Sequence, residues 1–191
     1  MNDKNIPNNS LMKVIERGDL KKLQSLLKKG VDVNTRNDDS KETPLMRAAQ
    51  LGHEEIVRLL CDHKADLNAR DWQHCTALIW AIVYDREKIV ELLLGKGAAT
   101  DTGEARTRTA LMWASTYGHL NIARMLLEAG ADLEAEDANG HTALTLAQKS
   151  GNADVADLLK GPKIAASSLQ EAPAEEQIIN NSPKAAFQEM P

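Results

Sequence analysis

The chain has 191 residues, 42% of them hydrophobic and 3% aromatic, with two cysteines and a formal net charge of −5. That length suits one domain with a tail, and an acidic pI near 5.6 speaks against a nucleic-acid or anionic-membrane binder. Three Trp, two Tyr and one Phe are too few to fill a sandwich or barrel. Helices packed through Leu, Ile, Val and Ala are predicted instead, an all-α fold.

Residues 1–9 are polar and rich in Asn, and read as a flexible N-terminus without a secretory signal. The apolar runs, such as Leu92–Leu94, fall far short of the ~20 residues that span a bilayer. Cys61 and Cys75 cannot make a disulfide framework, so a reducing, cytoplasmic setting is expected.

From residue 10 onward the chain repeats. Thr43, Thr76, Thr109 and Thr142 stand 33 residues apart. The same step links Leu45, Leu78, Leu111 and Leu144, then Ala48, Ala81, Ala114 and Ala147. It also links Ile56, Ile89, Ile122 and Val155, and Leu60, Leu93, Leu126 and Leu159. Each unit reads as two short helices. The first starts at the Thr, whose hydroxyl is a good N-cap, and Pro44 fits the first helical position of one copy. Gly52, Gly118 and Gly151 end it in the left-handed conformation, with Asp85 in that place in the remaining copy. The second helix presents Ile56, Val57, Leu59 and Leu60 and their counterparts on one face. Helices of roughly 8–10 residues are unstable alone in water, so each unit must be covered by the next.

Leu11–Asn34 fits the same register as an incomplete first unit, basic enough to serve as a cap. One extra residue separates it from the second unit, and the loop Asn37–Lys41 is the expected place for it. The predicted solenoid therefore spans 10–160, as a capping unit 10–34 and repeats 35–68, 69–101, 102–134 and 135–160. Residues 161–191, rich in Ala, Ser, Glu, Gln and Pro, read as a disordered tail. Two sharper readings of it are a docking segment at Ile178-Ile179 or Phe187, and a short covering helix near Ile164–Glu171.

The strings Thr43-Pro44-Leu45-Met46-Arg47-Ala48-Ala49, Gly52-His53-Glu54-Glu55-Ile56-Val57-Arg58-Leu59-Leu60 and Gly130-Ala131-Asp132-Leu133 resemble the ankyrin repeat family. The resemblance implies an ankyrin solenoid of helix-turn-helix units joined by hairpin-like connectors, acting as a protein-binding module and scaffold. One departure stands out. The family's His after Thr-Pro-Leu is replaced by Met46, Ile79, Met112 and Thr145, and apolar packing is expected to substitute in three copies.

Catalytic strings are missing: no phosphate-binding loop, His-Glu-x-x-His or Gly-x-Ser-x-Gly occurs, so no enzyme and no cofactor are predicted. His53 and His119 share a repeat phase, which marks a structural role, and neither shows an evident carboxylate partner. Cys61, His63, His74 and Cys75 lie close in sequence, but their spacing is unlike a structural zinc site. A helix N-terminus beside Cys75 leaves an acidified, reactive thiol as a remote alternative, as is a nucleic-acid binder.

The aromatics carry more information. Trp72, Trp80, Tyr84, Trp113 and Tyr117 all fall in the middle repeats, with Trp80 in phase with Trp113 and Tyr84 with Tyr117. A solenoid stacks equal phases into rows. Trp72 is placed by the resemblance at an exposed connector tip, where an indole has little core to enter, and it is the first candidate contact. The resemblance places Tyr84 and Tyr117 on the concave groove, and Trp80 and Trp113 at a framework position that mainly packs. Arg36, Arg47, Arg70, Arg106 and Arg108 surround them, a rim suited to a partner with apolar anchors and carboxylates. The ends differ in charge, net +3 over Leu11–Asn34 and net −5 over Glu128–Lys160. The expected partner is a protein of unspecified identity, bound by a monomer; a regulatory or inhibitory subunit of an enzyme is the alternative.

Overall fold

The structure, a computed structural model, describes residues 8–101 and 108–161. Its helices come in pairs joined by short turns: α1 (Asn8–Glu16) with α2 (Leu20–Lys28), and α3 (Pro44–Leu51) with α4 (Glu54–Asp62). These are followed by α5 (Ala77–Val83) with α6 (Glu87–Gly95), α7 (Ala110–Tyr117) with α8 (Leu120–Glu128), and α9 (Ala143–Lys149) with α10 (Ala153–Lys160). Each odd-numbered helix packs on the next odd-numbered one, and each even-numbered helix on the next even-numbered one. Two rows result, with the core between them. No strand forms among the described residues.

The repeat columns are that core. Ala48, Ala81, Ala114 and Ala147 have no exposed surface, and Leu60, Leu93 and Leu126 likewise. Leu144 and Leu159, the last members of two Leu columns, are only part-buried, because no described helix covers the α9–α10 pair. Burial therefore follows position in the stack, not residue type.

Four threonines start the odd-numbered helices after α1. The hydroxyl oxygens of Thr43, Thr76, Thr109 and Thr142 each accept from the amide three residues on, at 3.3 Å. Met46, Ile79 and Met112, in the place of the family's His, are buried in the core as expected, and two of them do more than pack. The thioether sulfur of Met46 accepts from the Thr43 amide at 3.3 Å, and that of Met112 from the Thr109 amide at 3.4 Å. In the last copy the Thr145 hydroxyl donates to the Thr142 carbonyl at 2.9 Å. Only Ile79 leaves the cap to the threonine alone.

The helix ends are tied across units. Gly118 ends α7 with φ 75°, and the next unit's Asn152 lies over it. The Asn152 amide donates to the Ser115 carbonyl at 2.8 Å and the Thr116 carbonyl at 3.0 Å, satisfying two orphan acceptors. Arg86 reaches back to Gln50 in the same manner, at 3.5 Å, and His119 to Asp85. Asp85 itself adopts φ 54°, as its place in the register requires.

Three connectors among the described residues are hairpin turns, closed by Asn37→Glu42, Asp71→Cys75 and Asp137→His141 backbone bonds of 2.9, 3.1 and 3.0 Å. The first turn holds one residue more than the other two, which is where the extra residue goes. Asp71 and Asp137 each accept two amides of their own turn through Oδ1, so each tip is held by its carboxylate. Residues 162–191, including the proposed tail segments, lie outside the described residues, as does 102–107.

The tie across units predicts unequal costs for one substitution. A Cβ at Gly118 would meet Asn152 Oδ1 at 2.7 Å, whereas one at Gly151, with a similar φ of 76°, meets nothing within 4 Å. Gly151→Ala should cost about 1–2 kcal/mol of backbone strain. Gly118→Ala should cost about 2–4 kcal/mol, since it also displaces two hydrogen bonds. Urea unfolding of both variants reads the difference.

Candidate functional site

The tips and the C-terminal ends of the odd-numbered helices lie along one side of the stack. Trp72 rides on the Asp71–Cys75 turn with 66% of its surface exposed. Its backbone amide donates to the Ser40 carbonyl at 3.1 Å, so the second tip is pinned to the first while the indole stays outside. Trp80 lies below on α5, half-buried against the core, and its indole N–H donates to Asp71 Oδ2 at 2.8 Å. One carboxylate thus holds the turn through Oδ1 and the helix through Oδ2. Trp72, Trp80 and Arg47 line the same concavity between the first two tips, about 400 Å³ in volume.

Tyr84 opens the turn after α5 and Tyr117 ends α7, 43% and 48% exposed. Each ring rests on the tryptophan four residues earlier. Trp80 and Tyr84 are tilted at 6.1 Å between centroids, and Trp113 and Tyr117 stacked at 6.0 Å. The Tyr84 hydroxyl accepts from Gln50 at 3.1 Å. Tyr117 also stacks on His119 at 5.9 Å, and His119 Nδ1 sits 3.3 Å from Asp85 Oδ1. The expectation that this histidine lacks a carboxylate partner is corrected: the partner comes from the preceding unit.

The arginines are engaged within the molecule. Arg36 donates to the Arg70 carbonyl at 2.8 Å, a bond along the tips. Arg47 pairs with Glu42 at 3.0 Å and stands 3.9 Å from Glu16. Arg108 pairs with Asp137 at 3.5 Å and covers the Trp113 ring at 5.3 Å. Arg70 has a partner of its own, and Arg106 lies outside the described residues. Leu51, Glu42 and Asp71 belong to this surface and were missed as candidates. Leu51, 38% exposed, shares the phase of Tyr84 and Tyr117, so its signal was available. Glu42 stands at the base of a hairpin with no sequence mark at all.

Burial pushes the Glu42 carboxyl up; Arg47 opposes this, and Asp71 and Glu16 add to it. The Cys75 thiol is buried, and burial, with the Asp71 charge beside it, pushes it up to about 12. That overturns the reactive-thiol alternative: desolvation outweighs any help from the nearby helix N-terminus. Cys61 is raised as well, again chiefly by burial. Among the described residues no three His, Cys, Asp or Glu side chains are placed to hold a metal ion. No helix there is long and apolar enough to cross a membrane.

Two rows of short paired helices, capped by threonine and joined by carboxylate-held tips, define a helix-turn-helix solenoid. The family model for ankyrin repeats (3 copies) matches residues 11–104 and 96–168, and the chain belongs to the ankyrin repeat family. Among curated proteins it is similar to the 2-5A-dependent ribonuclease of Mus musculus, 41% identical over 70 residues, 37% of this chain and 10% of the relative. The Homo sapiens 2-5A-dependent ribonuclease is 36% identical over 76 residues, 40% of this chain and 10% of the relative. The chain spans about a tenth of the length of these relatives. Ankyrin repeats are protein-interaction modules and typically non-catalytic.

The last tip, Asp137–His141, gives a pH prediction. Burial alone would raise the Asp137 carboxyl, but the amides of His141 and Asn139 and the His141 ring hold it below the usual range. The folded state then binds fewer protons than the unfolded one, so this stability is present above the ordinary carboxylate pKa. It is lost as pH falls through the lowered folded value. Asp137→Ala should cost about 1–3 kcal/mol at neutral pH. Below about pH 4 its stability should fall less steeply than that of the parent, in urea titrations at stepped pH.

Proposed function

We propose that this chain is a non-catalytic binding module that engages a protein partner through the concave groove and hairpin tips of its central repeats. One observation carries the reading. Leu51, Trp72, Tyr84 and Tyr117 are the large apolar side chains that stand exposed among the described residues, and all four lie on the odd-numbered row or its tips. Large aromatics left in water on one side of a stack are the residue types that dominate interface energetics. Trp72, Tyr84 and Tyr117 act as the anchors. Trp80 and Trp113 support them from below, and Arg36, Arg47, Arg70 and Arg108 rim them, with Arg106, outside the described residues, as a further candidate. A preformed surface of this kind binds with little ordering cost. The reading takes the chain as a monomer in a reducing cytoplasm, supported by Cys61 and Cys75 standing as free thiols.

The triple variant Trp72→Ala, Tyr84→Ala, Tyr117→Ala should weaken capture of the partner by about 100-fold or more. Its thermal midpoint should stay close to that of the parent, because all three rings are exposed. Affinity purification with mass spectrometry compares the two proteins. Equal recovery of the same partner would refute the assignment. So would retention of 2-5A, named in the matched relatives, with no protein captured.

A further inference from the structure

The concavity under Trp72 has a charge that the arginine rim does not suggest. Asp39, Glu42 and Asp71 line it, and among the described residues Arg47 is the single cation lining it with them. Arg47 already faces two carboxylates, Glu42 at 3.0 Å and Glu16 at 3.9 Å, so one guanidinium is shared between two negative charges. Asp71 accepts two backbone amides and the Trp80 indole N–H. None of these donors carries a charge, so they hold the Asp71 carboxylate in position without cancelling its charge. Asp39 is exposed at the mouth. Arg36 and Lys41 ride on the first tip but line no part of the concavity, and Arg36 is turned onto the Arg70 carbonyl. Arg70 and His74, on the second tip, have interactions of their own.

Two indole surfaces meet this unbalanced negative charge. Trp72 stands at the rim, 66% exposed, and Trp80 forms part of the floor. An aromatic face attracts a cation, and a planar guanidinium both lies flat on an indole and donates to several carboxylates at once. The volume of about 400 Å³ admits a long side chain.

We infer that the concavity between the first two hairpin tips receives an arginine side chain from a basic segment of the protein partner. The guanidinium lies against Trp72 and between Asp39 and Asp71, with the Arg47–Glu42 pair behind it. This rests on the proposed groove and gives its partner a sign: basic, where the arginine rim by itself suggested an acidic one.

The probe is the blocked pentapeptide N-acetyl-Gly-Gly-Arg-Gly-Gly-amide, titrated into the full chain while the tryptophan indole N–H signals are followed by NMR. The Trp72 and Trp80 signals should shift and saturate, and that of Trp113 should not. The same peptide with citrulline, a neutral isostere of arginine, should leave all three in place. Asp39→Asn should weaken binding roughly two- to fivefold, and Trp72→Ala about tenfold. Equal shifts with the citrulline peptide, stronger binding of a glutamate peptide, or no shift with arginine would each overturn the inference. Such a result leaves the groove standing if the triple variant still loses its partner. If that variant keeps its partner, both readings fall.

Discussion

A helix of seven to nine residues does not persist in water, and every described helix of this chain is that short. What makes them persist is the neighbouring pair, which covers the Leu, Ile and Ala columns that each pair would otherwise expose. Stability is then passed from unit to unit, and the end of the described stack shows it: Leu159, with no described pair beyond it, is only part-buried where Leu60, Leu93 and Leu126 are fully enclosed. The cross-unit bonds follow the same logic. Asn152, Arg86 and His119 each reach back to the end of the preceding odd-numbered helix, so a helix terminus in one unit is completed by a side chain of the next.

The binding side depends on that stacking at short range. Asp71 joins a turn to a helix, through two amides on one oxygen and the Trp80 indole on the other. The Trp72 amide joins that turn to the turn before it. The exposed indole therefore sits on a framework anchored in two units, and an apolar surface is held in water by polar contacts beneath it. Tyr84 and Tyr117 are held similarly, each against the tryptophan one helical turn earlier. A partner meeting this side finds side chains already in place.

The 33-residue columns made the architecture legible, because each column position has one burial state wherever a neighbour is present. Trp72, Tyr84 and Tyr117 were legible as exposed through the family resemblance, which puts the first at a connector tip and the other two on the groove. Pairwise chemistry between units was not. Arg47 with Glu42, Arg36 with the Arg70 carbonyl, and Arg108 with Asp137 depend on which side chain a connector brings opposite another. A column of arginines does not reveal its counter-charges. Met46 and Met112 read as apolar filler and are buried as such, but their sulfurs also accept backbone amides, a role that depends on side-chain direction and not hydrophobicity. Cys75 looked activated by its place before a helix, but its burial beside Asp71 reverses the sign.

Hydrogen–deuterium exchange on the complex with the captured partner tests the central claim most directly. The account predicts slowed exchange in the tips around Ser40 and Trp72 and in the last turns of α5 and α7, with α4, α6 and α8 unchanged. Protection confined to the even-numbered row, with the tips and the ends of α5 and α7 exchanging as in the free chain, would contradict it.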